Sequence, residues 1–181
     1  MTGNPLPVFT IGHSTRTIAD FVTLLRAGEV QLVVDIRRMP RSRTNPQYNI
    51  DALPGALAPY QIGHMRIAEL GGLRKKLDIP PETNSFWTNR SFHNYADYAL
   101  TDEFQRGFDC LLQVSAKQRA AIMCAEAVWW RCHRRIVADY LIATGRTVYH
   151  LMGTDQVQVA TLTAGAVRDG GRLHYPAVKD E

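Results

Sequence analysis

Short apolar runs that alternate with helical segments constrain the fold of this chain most. Residues 32–36 read Leu-Val-Val-Asp-Ile, the composition of a strand that is buried on both faces, as strands in parallel sheets are. Similar runs occupy residues 8–11, 64–67, 120–123 and 147–151, and apolar residues recur at helical spacing between most of them. The pattern predicts a single Rossmann-like α/β domain over residues 1–181, with a mostly parallel sheet of about five strands flanked by helices.

Cap and turn residues suggest where the helices begin and end. Thr17, Asn49 and Thr101 are good N-cap residues before apolar periodic segments, and Gly28 and Gly145 suit helix ends. Two parts of the chain fit this pattern less well. Residues 73–90 are predicted to form an irregular loop excursion, and residues 153–181 a C-terminal extension with an added edge strand near residue 173.

Length and composition limit the class of protein. With 181 residues, 45% of them hydrophobic, the chain can bury one proper core. The amino terminus lacks the pattern of a signal peptide, and no stretch approaches the length of a membrane-spanning helix. Three cysteines without regular spacing fit a reducing compartment. We therefore expect a cytoplasmic protein that has no membrane partner.

Residues 122–135, IMCAEAVWWRCHRR, are the richest in reactive groups. They follow an apolar run and precede a helical pattern, so Cys124, Glu126 and His133 are predicted to lie on a strand-to-helix turn. Other predicted strands end at polar residues too, namely His13, Ser14, Asp35 and Arg37. Ligands of open α/β sheets bind outside the carboxyl ends of the strands, which predicts that these side chains share a cleft.

Several motifs taken together resemble one family. They are Thr10-Ile11-Gly12-His13-Ser14, Asp35-Ile36-Arg37, Pro40-Arg41-Ser42-Arg43 with Asn45-Pro46, Glu69-Leu70-Gly71-Gly72, Tyr95-Ala96-Asp97-Tyr98, and Cys124-Ala125-Glu126 with Cys132-His133-Arg134. In this order they closely resemble the domain-of-unknown-function 488 family over nearly the whole chain. That resemblance implies no activity and no assigned catalytic residues.

A fainter similarity links the chain to rhodanese-like domains. Those domains carry an Asp-x-Arg element at one strand end and a cysteine at a later one, where Asp35, Arg37 and Cys124 stand here. The loop differs, because the segment from Cys124 to Arg131 is longer than the phosphatase spacing and contains Glu126. A carboxylate there would repel a thiolate and oppose phosphate binding, which argues against sulfur transfer and phosphatase chemistry.

The catalytic hypothesis makes Cys124 a nucleophile whose thiolate is favoured by the following helix and by nearby arginines. Glu126 or His133 would then move protons. The alternatives are that Cys124 is simply the last buried residue of its strand and that Glu126 belongs to an ion pair. Cys132 and His133 are adjacent and lack the usual spacing of zinc ligands, so no metal is predicted, and the sequence identifies no cofactor.

Three basic clusters predict an anionic ligand. They contain Arg37, Arg38, Arg41 and Arg43, then Arg74, Lys75 and Lys76, then Arg131, Arg134 and Arg135. We expect Arg37, Arg41, Arg43, Arg131 and Arg134 to bind the anion with His13, Ser14 and Asp35, since guanidinium groups offer planar forks of donors to phosphate. Trp129 and Trp130 cannot both be buried easily in one short loop, so at least one is a candidate stacking surface.

Two classes of function follow. The first is an enzyme that acts on a phosphate-bearing small molecule, nucleotide or nucleic-acid component at the carboxyl ends of the strands. The alternative is a nucleic-acid-binding module without catalysis, whose affinity would fall steeply with added salt. A net charge of only +4 favours the enzyme. The sequence defines neither the substrate nor the oligomeric state.

Overall fold

The central sheet is mixed but mostly parallel. The computed structural model describes residues 3–179, and its main sheet has six strands in the order β3-β2-β4-β1-β5-β6. The strands are β1 (Val8–Gly12), β2 (Leu32–Asp35), β3 (Gly63–Arg66), β4 (Ala120–Cys124), β5 (Val148–Gly153) and β6 (Gln156–Val159). The first five run parallel and β6 pairs antiparallel with β5. The chain therefore has the Rossmann-like α/β architecture that its alternating pattern predicted.

Five α-helices cover the two faces of the sheet. They are α1 (Ile18–Ala27), α2 (Leu53–Leu57), α3 (Arg90–Tyr98), α4 (Asp102–Lys117) and α5 (Arg134–Ala143). The hydroxyl of Thr17 accepts the backbone N–H of Asp20 at the start of α1, and that of Thr101 accepts the N–H of Phe104 in α4. These side chains satisfy N–H groups that have no partner within the helix.

Alternate residues of the strands point into two separate hydrophobic cores. Val34 and Ile122 face the core that α3, α4 and α5 cover, whereas Val33 and Met123 face the core beneath α1 and α2. β1, β2 and β4 are buried on both faces, and their polar residues are Thr10, which is hydrogen-bonded to His150 at 2.6 Å, and Asp35 at the end of β2. Most polar side chains near these strands therefore lie in the loops that follow them.

Two of the predicted elements differ from the structure. Asn49 does not cap a helix, because its side chain accepts the backbone N–H of Ser42 at 2.6 Å, and α2 begins only at Leu53. The added edge strand of the main sheet is β6, not the segment near residue 173. That segment forms β8 (Arg172–His174), which pairs with β7 (Val167–Asp169) in a separate sheet of two strands.

The C-terminal extension is fixed to the body of the domain by buried polar contacts. The hydroxyl of Tyr175 donates to Asp139 of α5 at 2.9 Å, and the backbone N–H of Tyr175 donates to Asn84 at 2.9 Å. Asn84 lies in a short 3-10 turn within the irregular segment of residues 73–90. Among the helices of residues 3–179, none is both long and apolar enough to cross a bilayer.

Candidate active site

The sheet order brings together the carboxyl ends of β1, β2 and β4, each of which is followed by polar or reactive side chains. β4 lies between β2 and β1, with Gly12 opposite Cys124 and Asp35 opposite Met123. The turn after β1 is bonded directly to the turn after β4, because the backbone N–H of His13 donates to Cys124 and that of Ser14 donates to Ala125. The sequence alone could not place His13 beside the cysteine turn, because that proximity depends on β1 and β4 being neighbours, as they are in this sheet.

Two adjoining clefts open at these strand ends. The main cleft has a volume of about 360 Å³ and the second cleft one of about 330 Å³. Arg37, Met39 and Ala125 line both. The main cleft is lined further by Arg38, Gly72, Leu73, Ser91, Phe92, Tyr95, Cys124, Glu126, Arg131, Cys132 and His133. The second is lined further by His13, Ser14, Thr15, Arg41, Ser42 and Asn45.

Asp35 and Arg37 form a buried ion pair beneath the clefts. The guanidinium donates from Nε to one carboxylate oxygen of Asp35 at 2.9 Å and from Nη2 to the other at 2.6 Å. The backbone N–H of Arg37 adds a third bond to Asp35, and Nη2 also donates to the carbonyl of Tyr48. Asp35 thus accepts three hydrogen bonds from Arg37, and these contacts hold the guanidinium in place.

His13 also supports Arg37. Its Nδ1 donates to the carbonyl of Ser14 at 2.8 Å, which leaves Nε2 to accept from Nη1 of Arg37 at 3.3 Å. The ring stacks on Tyr48 with centroids 4.3 Å apart. Burial lowers the pKa of His13, and the charge of Arg37 adds to this effect. The neutral imidazole thus fixes the direction of the guanidinium.

Cys132 and His133 form a contacting pair in the main cleft. Nε2 of His133 donates to the carbonyl of Ile36 at 2.8 Å, so the unprotonated Nδ1 faces the sulfur of Cys132 at 3.4 Å. Gly72 makes room for the ring, since a Cβ at that position would lie 2.8 Å from Nδ1. Burial lowers the pKa of His133, which keeps the imidazole neutral and Nδ1 unprotonated.

The two cysteines of the cleft have opposite tendencies to ionise. Burial raises the pKa of Cys124, and the neighbouring Cys132 raises it further. Burial alone would also raise the pKa of Cys132, but Cys124 and the charge and backbone N–H of Arg134 outweigh it and lower that pKa. The catalytic hypothesis placed the thiolate on Cys124, whereas Nδ1 of His133 and the backbone N–H of Arg134 both contact Cys132.

Arg134 accounts for part of this effect from beneath the turn. Its side chain is fully buried and donates from Nη2 to the carbonyl of Ala127 at 3.2 Å. Within residues 3–179, Nε and Nη1 have no hydrogen-bond partner. The guanidinium is not part of the wall of either cleft, so its position suits an electrostatic role at the two sulfur atoms better than direct anion binding.

The remaining predicted residues lie at the rim. Glu126 and Arg131 are exposed and line the main cleft, and Ser14 lines the second. Arg41 also lines the second cleft and makes an exposed ion pair with Asp51 at 3.4 Å. Arg43 is exposed on the same loop, outside both clefts. The four basic residues of this loop are thus divided between the two clefts and solvent.

Met39 and Leu73 line the main cleft although no sequence pattern singled them out. They are 70% and 72% exposed, and with Phe92 they add apolar groups to a lining that also carries charge. Arg38 adds a cation at the rim. Of the tryptophans, Trp130 is 45% exposed, whereas Trp129 stacks on His150 with centroids 4.6 Å apart. The expectation that the two would not both be buried is confirmed.

Metal binding has no ready ligand set in this site. In the part of the chain that the structure describes, no group of three or more His, Cys, Asp and Glu side chains converges as metal ligands do. Cys132 contacts Cys124 and His133 through its single sulfur, and both nitrogens of His133 are engaged in hydrogen bonds.

Three histidines that burial keeps neutral predict a loss of stability in acid. The pKa of His13, His133 and His150 is lowered by burial, and that of His150 falls to about 3. The unfolded chain, with histidine pKa values near 6.5, then binds more protons below that pH, so the stabilisation is present above pH 6.5 and is lost as the pH falls. His150 alone accounts for about 1.4 kcal/mol per pH unit.

Urea unfolding between pH 6.5 and 4.5 tests this pH dependence. We expect His150→Asn to reduce the slope of unfolding free energy against pH by about 1.4 kcal/mol per unit. Equal slopes for the wild type and His150→Asn would contradict a neutral, buried His150.

The mostly parallel sheet and the cysteine-lined cleft at its carboxyl edge define an α/β protein of the Rossmann-like class. Residues 17–141 match the family model described as "Domain of unknown function DUF488". The chain belongs to this family, and the matched residues run from the cap of α1 into α5, so they include the main cleft. No curated protein and no solved structure matches the chain. The similarity to rhodanese-like domains stays a prediction.

Proposed function

We propose that this protein is an enzyme that binds a small phosphate-bearing molecule in the main cleft and attacks it with the thiolate of Cys132. The observation that carries the proposal is the chain of contacts from Cys132 to His133 at 3.4 Å and from His133 to the carbonyl of Ile36 at 2.8 Å. A nucleophile, a base within reach and a third group that orients the base are the usual parts of covalent catalysis.

His133 has the tautomer that this role needs. Because the carbonyl of Ile36 can only accept, the proton of the neutral imidazole is on Nε2, and Nδ1 is free to take the thiol proton of Cys132. As sulfur bonds to the electrophilic atom of the substrate, the bond to the leaving group breaks, and the imidazolium returns the proton to that group. Hydrolysis of the covalent intermediate by water then restores the thiol.

The walls of the main cleft indicate the class of substrate. Arg37, Arg38 and Arg131 line it, and Arg37 is fixed by Asp35, so little conformational entropy is lost when it binds an anion. Glu126 lies at the same rim and would repel a bare phosphate, but it can accept a hydrogen bond from a hydroxyl or amino group. The apolar side formed by Met39, Leu73 and Phe92 suits an uncharged ring. A nucleoside monophosphate combines these features.

Alkylation by iodoacetamide, followed by peptide mass spectrometry, tests the nucleophile. At pH 7 we expect Cys132 to react faster than Cys124, because a lower pKa gives a larger fraction of the reactive thiolate. Cys110, a half-buried residue of α4, is the internal comparison. If Cys132 stays unmodified until the protein unfolds, nucleophilic catalysis is excluded.

Protection by a ligand tests the anion site in the same assay. We expect adenosine monophosphate to slow the alkylation of Cys132, and Arg131→Gln to weaken this protection about tenfold, the effect of losing one charge-assisted hydrogen bond worth about 1.4 kcal/mol. Arg168→Gln, at an exposed position on β7, is the matched control and should protect like the wild type. Unreactive Cys132 together with steeply salt-dependent binding of single-stranded oligonucleotides would instead support the nucleic-acid-binding alternative.

A further inference from the structure

The two cysteines of the main cleft are partners in one small cluster. Cys124 is the last residue of β4, Cys132 lies just before α5, and each cysteine shifts the pKa of the other. They are only 2% and 5% exposed, yet both line the main cleft. A reagent that enters this cleft therefore meets both cysteines.

The surroundings give the two sulfur atoms different tasks. Cys132 accepts the backbone N–H of Arg134 at 3.5 Å and faces Nδ1 of His133, contacts that stabilise a thiolate and remove its proton. The thiol of Cys124 points to the carbonyl of Glu126 at 3.6 Å, an acceptor that retains the proton on sulfur. An activated thiolate beside a protonated thiol is the arrangement in which the first sulfur is oxidised and the second resolves the product.

We propose that Cys124 and Cys132 together reduce small hydroperoxides that enter the main cleft and are themselves oxidised to an intramolecular disulfide. This inference rests on the nucleophilic Cys132 of the proposed function, but it requires no phosphate-bearing substrate. In this proposal Cys124 is the resolving cysteine, the one that attacks the oxidised sulfur of Cys132. It also implies that the oxidised protein cannot attack the substrate of the proposed function until an external dithiol reduces it.

The reaction balances in two steps. The thiolate of Cys132 attacks one peroxide oxygen, a sulfur–oxygen bond forms, the oxygen–oxygen bond breaks, and the released hydroxide or alkoxide takes the proton that Cys132 had lost. The sulfur of Cys124 then attacks the sulfenic acid, a disulfide bond forms, and the hydroxyl group leaves with the thiol proton as water. Two thiols and one hydroperoxide thus give one disulfide, one water and one water or alcohol.

Mass spectrometry of the wild-type protein after one equivalent of hydrogen peroxide is the deciding experiment. We expect two of the three thiols to disappear, a peptide pair that joins Cys124 to Cys132, and a free Cys110. Dithiothreitol should restore all three thiols. Cys110→Ser is the matched control and should form the same disulfide at the same rate.

Two variants separate the roles of the sulfur atoms. Cys124→Ala should accumulate a sulfenic acid on Cys132, trapped by dimedone, and Cys132→Ser should oxidise at least about tenfold more slowly than the wild type. The rate of iodoacetamide alkylation of Cys132 shows whether Cys124→Ala retains the site.

The results also distinguish this proposal from the proposed function. If Cys132 is alkylated rapidly and protected by adenosine monophosphate but peroxide yields no Cys124–Cys132 disulfide, the redox proposal fails and the proposed function stands. If the disulfide forms but adenosine monophosphate gives no protection, the redox proposal stands and the phosphate-bearing substrate is refuted. Three free thiols after peroxide treatment, or disulfides through Cys110, overturn the redox proposal.

Discussion

Replacing Asp35 by Asn is expected to lower the free energy of unfolding by about 3–5 kcal/mol, which is the usual effect of removing one partner of a buried ion pair. Asp35 is fully buried and Arg37 is 5% exposed. The amide of Asn keeps one acceptor oxygen but carries no charge, so the guanidinium stays in the interior without compensation. Urea unfolding at pH 7, with the slope checked for two-state behaviour, measures the change.

The pair between Arg41 and Asp51 provides the matched control for Asp35→Asn. Its atoms are 3.4 Å apart and its side chains are 63% and 65% exposed. Because water and salt screen exposed pairs, Asp51→Asn should cost less than about 1 kcal/mol. An equally small effect of Asp35→Asn would show that the buried contacts do not hold Arg37 in the folded protein.

Gly12→Ala is the second substitution for which we expect a large effect. A Cβ on Gly12 would lie 1.6 Å from the backbone oxygen of Glu126 and 2.9 Å from Nη1 of Arg134. Neither β1 nor the turn after β4 can move alone, because their backbones are hydrogen-bonded to each other. We expect a destabilisation of about 3 kcal/mol or more, at the upper end of the effects of overpacking.

The same substitution should also affect the chemistry of the site. Relief of the clash requires the turn with Glu126 to shift away from β1, which displaces Arg134 from Cys132. The rapid alkylation of Cys132 should therefore be lost in any fraction of Gly12→Ala that folds. Gly55→Ala, at an exposed position of α2 with open space around it, should leave the alkylation unchanged and stabilise the helix by about 0.5–1 kcal/mol. Wild-type stability and alkylation in Gly12→Ala would refute this account.

The fold could be predicted where one stretch of chain determines its own structure. The apolar runs became strands, and Thr17 and Thr101 cap helices as expected, because an N-cap needs only its own neighbours in sequence. Asn49 was different, since its side chain is engaged with Ser42 across the arginine-rich loop. Local propensity cannot show that a distant backbone N–H competes for the same oxygen.

The sequence predicted where the site lies but not what each side chain does in it. Parallel strands end at one edge of the sheet, and this rule placed His13, Arg37 and Glu126 at that edge. It could not show that β1 lies next to β4. It could not show which cysteine is favoured as the thiolate. That depends on the 3-10 turn of Trp129–Arg131, which brings Cys132 back to Cys124 and to the start of α5.

The position of β4 in the middle of the sheet has a consequence for the order of folding. β1 and β2 do not pair with each other; both pair with β4, which is made more than eighty residues after β2. Contacts that are so distant in sequence form slowly, because the intervening chain must first be closed into a loop. During synthesis, the first half of the chain therefore cannot form the cleft by itself. The arginine-rich loop after β2, His13 and the two cysteines of the main cleft come together only when β4, residues 120–124, pairs with both β1 and β2.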